Sequence, residues 1–271
     1  MAEINLKANA KINIFLDVLD KRKDGYHNIK TVFQEISLAD SINIKDTSGL
    51  KGEIVIKTSA PRLPTDRRNL AYRAADIIRK YAGIKRGAEI YIEKKIPVGA
   101  GLGGGSSDAA CVLKGLNKLW NLKINNRQLC SLGKRIGADV PFFIYGGRCL
   151  GEGIGDILTP LPVGKKEWYV IVYPGFEIST KFVYEQLTEI KKRCIIKTHY
   201  NKLENVVLPL YPEIRIMKEK LKMWGADYSL MSGSGSCVFG VVKDRMTGKK
   251  VMGYLKKYAY GIWLVHSVNS N

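Results

Sequence analysis

The chain has 271 residues, of which 45% are hydrophobic and 25% are charged, a composition typical of a soluble globular protein with one large or two modest domains. Its net charge of +19 favours anionic partners, such as nucleotides, diphosphates, nucleic acid or acidic membranes, without choosing among them. Five cysteines, an odd number with no Cys-x-x-Cys spacing, and three scattered histidines argue against a disulfide framework and against a metal cluster.

The N-terminal segment carries neither the charged start nor the apolar run of a signal peptide, and no apolar run approaches membrane-spanning length. We therefore expect a cytoplasmic protein. Apolar residues alternate strictly from Ile4 to Val18, which predicts one long strand, or two joined strands, over residues 3 to 19. Four polar residues share its other face, which on spacing alone is typical of a solvated surface: Lys7, Asn9, Lys11 and Asn13.

The next stretch contains a turn and several regular elements. Residues 24 to 27, Asp-Gly-Tyr-His, are a turn followed by an aromatic ring and an imidazole. Asn69 is the candidate N-cap of a helix. The predicted elements are strands over residues 29 to 36, 41 to 44, 54 to 57 and 88 to 94, and a helix over residues 69 to 81.

A glycine-rich stretch follows, Pro97-Val98-Gly99-Ala100-Gly101-Leu102-Gly103-Gly104-Gly105-Ser106-Ser107-Asp108. A strand, a glycine loop and a helix N-terminus in this order indicate an anion site, most often for phosphate. We expect Ser106 or Ser107 to cap the helix, with Asp108 in its first turn. A glycine-rich turn that only lets a strand and a helix pack closely is the alternative.

Three better-known glycine loops do not fit this stretch. A dinucleotide site needs an acid about twenty residues further on, and no acid occurs from residue 109 to 138. A P-loop needs Gly-Lys-Ser/Thr at its end, and here the loop ends Gly-Ser-Ser. A protein-kinase loop leads into a strand, whereas helical spacing follows here.

The remaining elements suggest a second fold unit. A short helix is predicted over residues 126 to 136, followed by Gly-Ala-Asp-Val-Pro-Phe, whose Asp139 on its own is typical of a turn. Residues 232 to 236, Ser-Gly-Ser-Gly-Ser, lie between two strands. The pattern from about residue 161 predicts a split β-α-β unit of ferredoxin type, with strands over residues 168 to 173, 228 to 231, 237 to 242 and 262 to 268 and helices over residues 180 to 192, 212 to 224 and 247 to 260.

These motifs, in this order, resemble those of the GHMP kinases, the relatives of galactokinase, homoserine kinase and mevalonate kinase. Asn9 departs from the proline that members usually carry before Ala-Lys-Ile-Asn, a change that concerns the strand entry. The resemblance implies an α+β fold with a ribosomal S5 domain 2-like, ATP-binding domain over residues 1–160 and a ferredoxin-like domain over residues 161–271. The motifs that carry it are residues 10–13, 25–27, 69–70, 97–107, 137–142, 151–156 and 232–236.

The resemblance also implies ATP as the phosphoryl donor, accompanied by Mg²⁺. No acidic Mg²⁺ ligand is assigned, and Ser107 is a candidate hydroxyl contact only. Asn69 is implied to contact adenine, and Lys94 and Lys95 to approach the phosphates or the base. The implied phosphate loop comprises Pro97, Val98, Gly99, Ala100, Gly101, Leu102, Gly103, Gly104, Gly105, Ser106 and Ser107.

For the chemical step, the resemblance implies that Asp139 takes the proton of the acceptor hydroxyl or orients it. Lys11 would hold Asp139 ionised and offset charge on the phosphoryl group. His27 would hydrogen-bond a pyrimidine edge, with the ring of Tyr26 against it. The residues implied to bind the acceptor are Asn13, Tyr26, His27, Thr180, Tyr184, Gly233, Ser234 and Gly235.

The implied reaction is phosphorylation of the 2-hydroxyl of a cytidine diphosphate methylerythritol, a step of non-mevalonate isoprenoid synthesis. We expect a small-molecule substrate, no nucleic acid or membrane partner, and a monomer or weak homodimer. One alternative is another GHMP kinase acting on homoserine or a mevalonate derivative, which residues 25–27 argue against. The other is a basic, S5-like RNA-binding protein, which leaves both glycine loops and Asp139 unexplained.

Overall fold

The computed structural model describes residues 2–47, 52–162, 164–187 and 199–269. Within these ranges the strands are β1 (Glu3–Lys21), β2 (His27–Asp46), β3 (Ile54–Thr58), β4 (Ala88–Glu93), β5 (Arg148–Glu152), β6 (Ile157–Pro160), β7 (Trp168–Tyr173), β8 (Tyr200–Asn201), β9 (Tyr228–Met231), β10 (Val238–Val242) and β11 (Gly261–His266). The helices are α1 (Leu70–Tyr81), α2 (Gly104–Leu119), α3 (Asn126–Lys134), α4 (Val140–Tyr145), α5 (Thr180–Glu185), α6 (Glu204–Leu210), α7 (Pro212–Met223) and α8 (Arg245–Leu255).

The chain divides into two compact units, each of which is discontinuous in sequence. The first unit comprises residues 1–10, 39–96 and 104–145, and the second comprises residues 11–38, 97–103 and 146–271. The long strands β1 and β2 each contribute residues to both units. The domain boundary at residues 160 and 161 was drawn from motifs, and it stays a prediction.

The first unit combines helices with part of a sheet. The C-terminal part of β2 pairs antiparallel with β4, and β4 pairs parallel with β3. Helix α1 begins as predicted, because the Asn69 side chain accepts a hydrogen bond from the Ala71 amide at 2.9 Å. Its buried face of Ala71, Ala74, Ala75 and Ile78 is narrow, and these small side chains let α1 pack closely against α2.

The second unit contains the predicted ferredoxin-like sheet. Its strand order is β11-β7-β10-β9, and all neighbours run antiparallel. Counted in chain order, these four strands lie as 4-1-3-2, with α7 packed on β9 and β10 and α8 packed on β7 and β11. The same unit holds the β5–β6 hairpin on β2 and the short parallel pair of β8 with β1. The expected α+β fold is confirmed.

Several predicted boundaries were wrong, among them that of the helix predicted over residues 247 to 260, which is α8 (Arg245–Leu255). Residues 29–36 and 41–44 belong to one strand, because the alternation of buried and partly buried side chains continues through residues 37–40. Helix α2 begins at Gly104, since the last left-handed glycine is Gly103, so Ser106 and Ser107 lie inside the helix. The helix predicted over residues 180 to 192 ends at Glu185, and residues 188–192 lie outside the described part of the chain.

Candidate active site

The first glycine loop has a left-handed backbone at three of its glycines. Gly99, Gly101 and Gly103 have φ angles of 62°, 79° and 71°, a region that side chains disfavour. Between them, Ala100 and Leu102 are buried and anchor the loop. The chain then enters α2, whose first N–H groups have no partners within the helix. A loop of this kind leading into a helix N-terminus is suited to bind phosphate.

The second glycine loop, residues 232–236, lies directly against the first within the second unit. The Ser232 hydroxyl donates a hydrogen bond to the Gly101 carbonyl at 2.9 Å. The Cys237 amide donates to the Ala100 carbonyl at 3.1 Å. A Cβ atom on Gly101 would lie 2.0 Å from the Ser232 carbonyl oxygen, so only glycine fits at position 101. The two loops are therefore held in register by one side-chain and one backbone hydrogen bond to carbonyls of the first loop.

Lys11 and Asn13 are buried next to these loops. The alternation of β1 alone had favoured a solvated face for both residues. Lys11 is 4% exposed and Asn13 is 1% exposed. The Lys11 amide donates to the Leu102 carbonyl at 3.0 Å, and its Nζ donates to Asn13 Oδ1 at 2.6 Å. A Cβ atom on Gly233 would lie 3.4 Å from each of these two side chains. The Lys11 ammonium thus faces the second glycine loop.

Four of the predicted acceptor-binding residues form two pairs in the second unit. The hydroxyls of Thr180 and Ser234 lie 2.8 Å apart. The rings of His27 and Tyr184 lie with their centroids 5.3 Å apart. The structure therefore brings Thr180 to the second glycine loop and His27 to the helix that carries Tyr184.

The imidazole of His27 is buried, whereas the neighbouring Tyr26 is 61% exposed. Burial lowers the pKa of His27, and the positive charge of Lys21 lowers it further. The ring is therefore neutral at pH 7 and offers one donor and one acceptor, as recognition of a pyrimidine edge requires.

In the first unit, Lys94 belongs to a buried ion-pair network. Its Nζ pairs with Asp40 and, at 2.9 Å, with Asp108, and the side chain is 7% exposed. Asp40 also accepts hydrogen bonds from the amides of Lys95 and Ile96 at 2.6 and 2.9 Å. Burial raises the pKa of the Asp108 carboxyl to about 7. Lys94 is thus held by two carboxylates within the first unit, and its contact with the nucleotide stays a prediction.

Sequence reasoning did not single out Asp40. The available signal was an acidic residue on the buried side of an alternating strand, where an apolar residue is the norm. Lys95 differs from its neighbour, because its side chain is 53% exposed and pairs only loosely with Glu93 at 3.5 Å. Lys95 stays a predicted nucleotide contact.

The side chains of Asn69 and Ser107 both form hydrogen bonds to backbone groups of the protein. Asn69 caps α1 and donates to the Pro64 carbonyl at 2.7 Å, so its contact with adenine stays a prediction. The Ser107 hydroxyl donates to the Asn9 carbonyl at 2.6 Å, which leaves its oxygen lone pairs available to accept or ligate.

Asp139 directly precedes α4, in a turn that reaches the start of α2. A Cβ atom on Gly137 would lie 3.8 Å from Ser106 Oγ, in the first turn of that helix. The residues that follow Asp139 in α4 are buried from Val140 to Ile144, which fixes the turn to the core. The turn that carries Asp139 thus lies near the first turn of α2, and transfer of a proton to its carboxylate stays a prediction.

No group of three or more His, Cys, Asp or Glu side chains within the described ranges is arranged to hold a metal ion. None of the helices α1 to α8 is long and apolar enough to cross a membrane.

Two family models match the chain. The model of the GHMP kinases N terminal domain matches residues 69–147, and that of the GHMP kinases C terminal domain matches residues 186–261. The two matched segments contain the first glycine loop, Asp139 and the second glycine loop.

Curated relatives are similar over most of their length. A 4-diphosphocytidyl-2-C-methyl-D-erythritol kinase of Alkaliphilus metalliredigens is 44% identical, with 90% of this chain and 89% of that protein covered. A protein of the same name from Caldicellulosiruptor saccharolyticus is 42% identical, with 93% of each chain covered.

Solved structures agree with the fold. A crystal structure of a 4-(cytidine 5'-diphospho)-2C-methyl-D-erythritol kinase matches with a TM-score of 0.86 at 32% identity, covering 98% of this chain and 100% of that chain. A homoserine kinase from Cytophaga hutchinsonii matches with a TM-score of 0.79 at 19% identity, covering 99% of this chain and 95% of that chain. At that identity the likeness concerns the fold alone.

Proposed function

Because the chain belongs to the GHMP kinase family, we propose that it transfers the γ-phosphoryl group of ATP to the 2-hydroxyl of 4-diphosphocytidyl-2-C-methyl-D-erythritol. The curated relatives and the similar crystal structure carry the name of that kinase. The observation that carries the mechanism is the contact of two glycine loops above the buried Lys11 and Asn13. The reaction serves isoprenoid precursor synthesis by the non-mevalonate route.

The first glycine loop is proposed to hold the ATP phosphates. Its left-handed glycines and the N-terminus of α2 supply N–H donors that are in place before the reaction. Such donors need little reorganisation as charge develops on the transferred group. Phosphoryl transfer depends chiefly on positioning and charge stabilisation, and this loop can supply both.

Mg²⁺ is proposed to arrive with the nucleotide. Mg²⁺ in kinase sites is held by substrate phosphates, a few waters and one or two oxygen ligands, so it needs no protein cage. The described residues fit this mode, since they offer the Ser107 hydroxyl oxygen but no cluster of acidic ligands. When bound, the ion neutralises charge on the phosphates.

Asp139 is proposed to take the proton of the 2-hydroxyl as that oxygen bonds to the γ-phosphorus. The bond from the γ-phosphorus to the bridging oxygen breaks, and ADP leaves with the electron pair. Lys11 is proposed to offset negative charge on the phosphoryl group during transfer. Its burial and its hydrogen bond to Asn13 hold the ammonium in one place, which suits that role.

The cytidine end of the acceptor is proposed to bind at His27. A neutral imidazole can donate to and accept from one edge of cytosine, and Tyr184 lies beside it as an aromatic wall. The exposed ring of Tyr26 is available to stack on the base. Thr180 and Ser234 are proposed to contact the polyol.

We also propose a cytoplasmic enzyme that is a monomer or weak homodimer and has no nucleic-acid or membrane partner. The four cysteines that the structure describes are free thiols, as expected in a reducing compartment. The positive net charge is compatible with this proposal, because both the donor and the acceptor carry phosphates.

The test is an assay that couples ADP release to a spectroscopic signal, with and without the cytidylated methylerythritol. We expect ADP release that depends on this acceptor and on Mg²⁺. Homoserine and mevalonate, at the same concentration, should give no release above the background without acceptor. The proposal would be refuted if homoserine or mevalonate were turned over faster than the cytidylated methylerythritol. It would also be refuted if no acceptor gave ADP release above background.

A further inference from the structure

Asn201 lies at the end of β8, outside the motifs that predicted the site. Its side chain is buried, with the residue 2% exposed. Its Nδ2 donates to the carbonyls of Met231 and Gly233, both at 2.8 Å. Its Oδ1 accepts from the Leu203 amide at 2.9 Å. Both amide hydrogens are thus used to hold the two residues on either side of Ser232.

Glu204, three residues after Asn201, also bonds to the segment around Ser232. Its Oε1 accepts from the Met231 amide at 2.7 Å, and its other carboxylate oxygen pairs with Lys218. The start of the second glycine loop is therefore fixed at three backbone atoms by residues 201–204.

The backbone around Asn201 is held by β1, the strand that carries Lys11. Strand β8 pairs in parallel with β1 at Phe15 and Leu16. The amide of Lys202, next to Asn201, donates to the Leu16 carbonyl at 2.8 Å. A continuous path of hydrogen bonds thus runs from β1 through Asn201 to Gly233.

Gly233, at the end of this path, lies next to Lys11, which is proposed to act in phosphoryl transfer. The residue has a φ angle of 56°, and a Cβ atom added to it would lie 3.4 Å from the Lys11 ammonium and from Asn13 Oδ1. A shift of Gly233 by a fraction of an ångström would change the space around the ammonium. Misplacement of about 1 Å can cost about a hundredfold in rate.

We propose that Asn201 is a positioning residue, which sets the distance between the second glycine loop and Lys11 and thereby the placement of the transferred phosphoryl group. This inference rests on the function proposed above. It assigns to Asn201 no contact with either substrate.

The test replaces Asn201 by Asp, which has nearly the same shape. The change turns the Nδ2 amino group, with its two N–H donors, into one carboxylate oxygen that faces the carbonyls of both Met231 and Gly233. We expect kcat to fall about tenfold or more, because two hydrogen bonds are replaced by repulsion. CDP, used as a probe of the cytidine site, should bind within about twofold of its wild-type affinity, since His27 and Tyr184 are not joined to Asn201.

Two further variants complete the design. Asn201→Ser keeps one donor, so its kcat should lie between those of the wild type and Asn201→Asp, and it serves if the Asp variant does not fold. Asn117→Asp is the matched control, because the same exchange there removes an amide donor bond to the Ile124 carbonyl in the first unit, at the C-terminal end of α2. It should lower the melting temperature and leave kcat within about twofold, the range expected away from the reacting atoms.

The failures of the two proposals are distinguishable. Absence of acceptor-dependent turnover in the wild-type protein would overturn the proposed function. Wild-type turnover together with an unchanged kcat in folded Asn201→Asp or Asn201→Ser would overturn the positioning role. Equal losses of kcat and CDP affinity would also overturn it, because they would indicate a general loss of structure.

Discussion

Replacing Gly101 by alanine is expected to separate the two glycine loops. The residue has a φ angle of 79°, a conformation that costs about 1–2 kcal/mol for alanine. The new Cβ atom would also lie 2.0 Å from the backbone oxygen of Ser232, which cannot rotate away. Moving the loops apart breaks the hydrogen bonds from Ser232 and Cys237, each contributing about 1 kcal/mol. The sum is about 3–4 kcal/mol of lost stability.

Gly83→Ala provides the matched control. Gly83 follows α1 with a φ angle of 64°, and no atom lies within 4 Å of its Cβ position. Alanine there should cost only the backbone strain, about 1–2 kcal/mol. Urea denaturation would give both free energies of unfolding, and the coupled assay would give kcat/KM for ATP. Unfolding free energies for the two variants that agree within about 0.5 kcal/mol, or wild-type kcat/KM in Gly101→Ala, would refute the reasoning.

Three further predictions concern charges and the acceptor site. Asp139→Asn and Lys11→Ala should each lower kcat by about a hundredfold or more while circular dichroism shows a folded protein, and unimpaired turnover of the Asn variant would exclude proton transfer to Asp139. His27→Ala should weaken binding of the cytidylated acceptor about tenfold and leave ATP binding unchanged in calorimetry, whereas equal losses would contradict a cytidine role. Burial raises the pKa of Asp108 from an ordinary 3.8 to about 7, so the native state holds this proton more tightly than the unfolded chain does. The stability that this proton contributes is complete below about pH 4 and is lost as the pH rises through about 7. Asp108→Asn should therefore reduce the fall of the unfolding free energy between these pH values, measured by denaturant titration. An unchanged pH dependence would contradict this prediction.

Local sequence patterns predicted those elements whose cause is local. The N-cap of α1 follows from Asn69, and the structure has it. The first loop is rich in glycine, and three of its glycines have a positive φ. The ferredoxin-like unit was predicted from the order of strands and helices, and the structure has its four strands in the order β11-β7-β10-β9.

Features set by partners distant in sequence escaped prediction. Lys94 resembles a surface lysine before a phosphate loop, but Asp40, 54 residues away, draws its ammonium into the core. Asn201 carries no motif, and its role depends on carbonyls 30 and 32 residues further on. Spacing alone placed Lys11 on a solvated face, because nothing in the alternation of β1 shows that two glycine loops cover it.

Strand β1 explains why the second unit can act as a preorganised half of the site. Lys11 and Asn13 project from this strand, its backbone accepts or donates bonds to Leu102 and Lys202, and Lys202 adjoins the residue that holds Gly233. Each glycine loop is thus hydrogen-bonded, directly or through residues 201 and 202, to the strand that carries the ammonium. Phosphoryl transfer offers the protein little covalent chemistry and much positioning. In the proposed mechanism one strand positions the ammonium and both glycine loops, so single changes at Gly101 or Asn201 are expected to lower activity by displacing these groups.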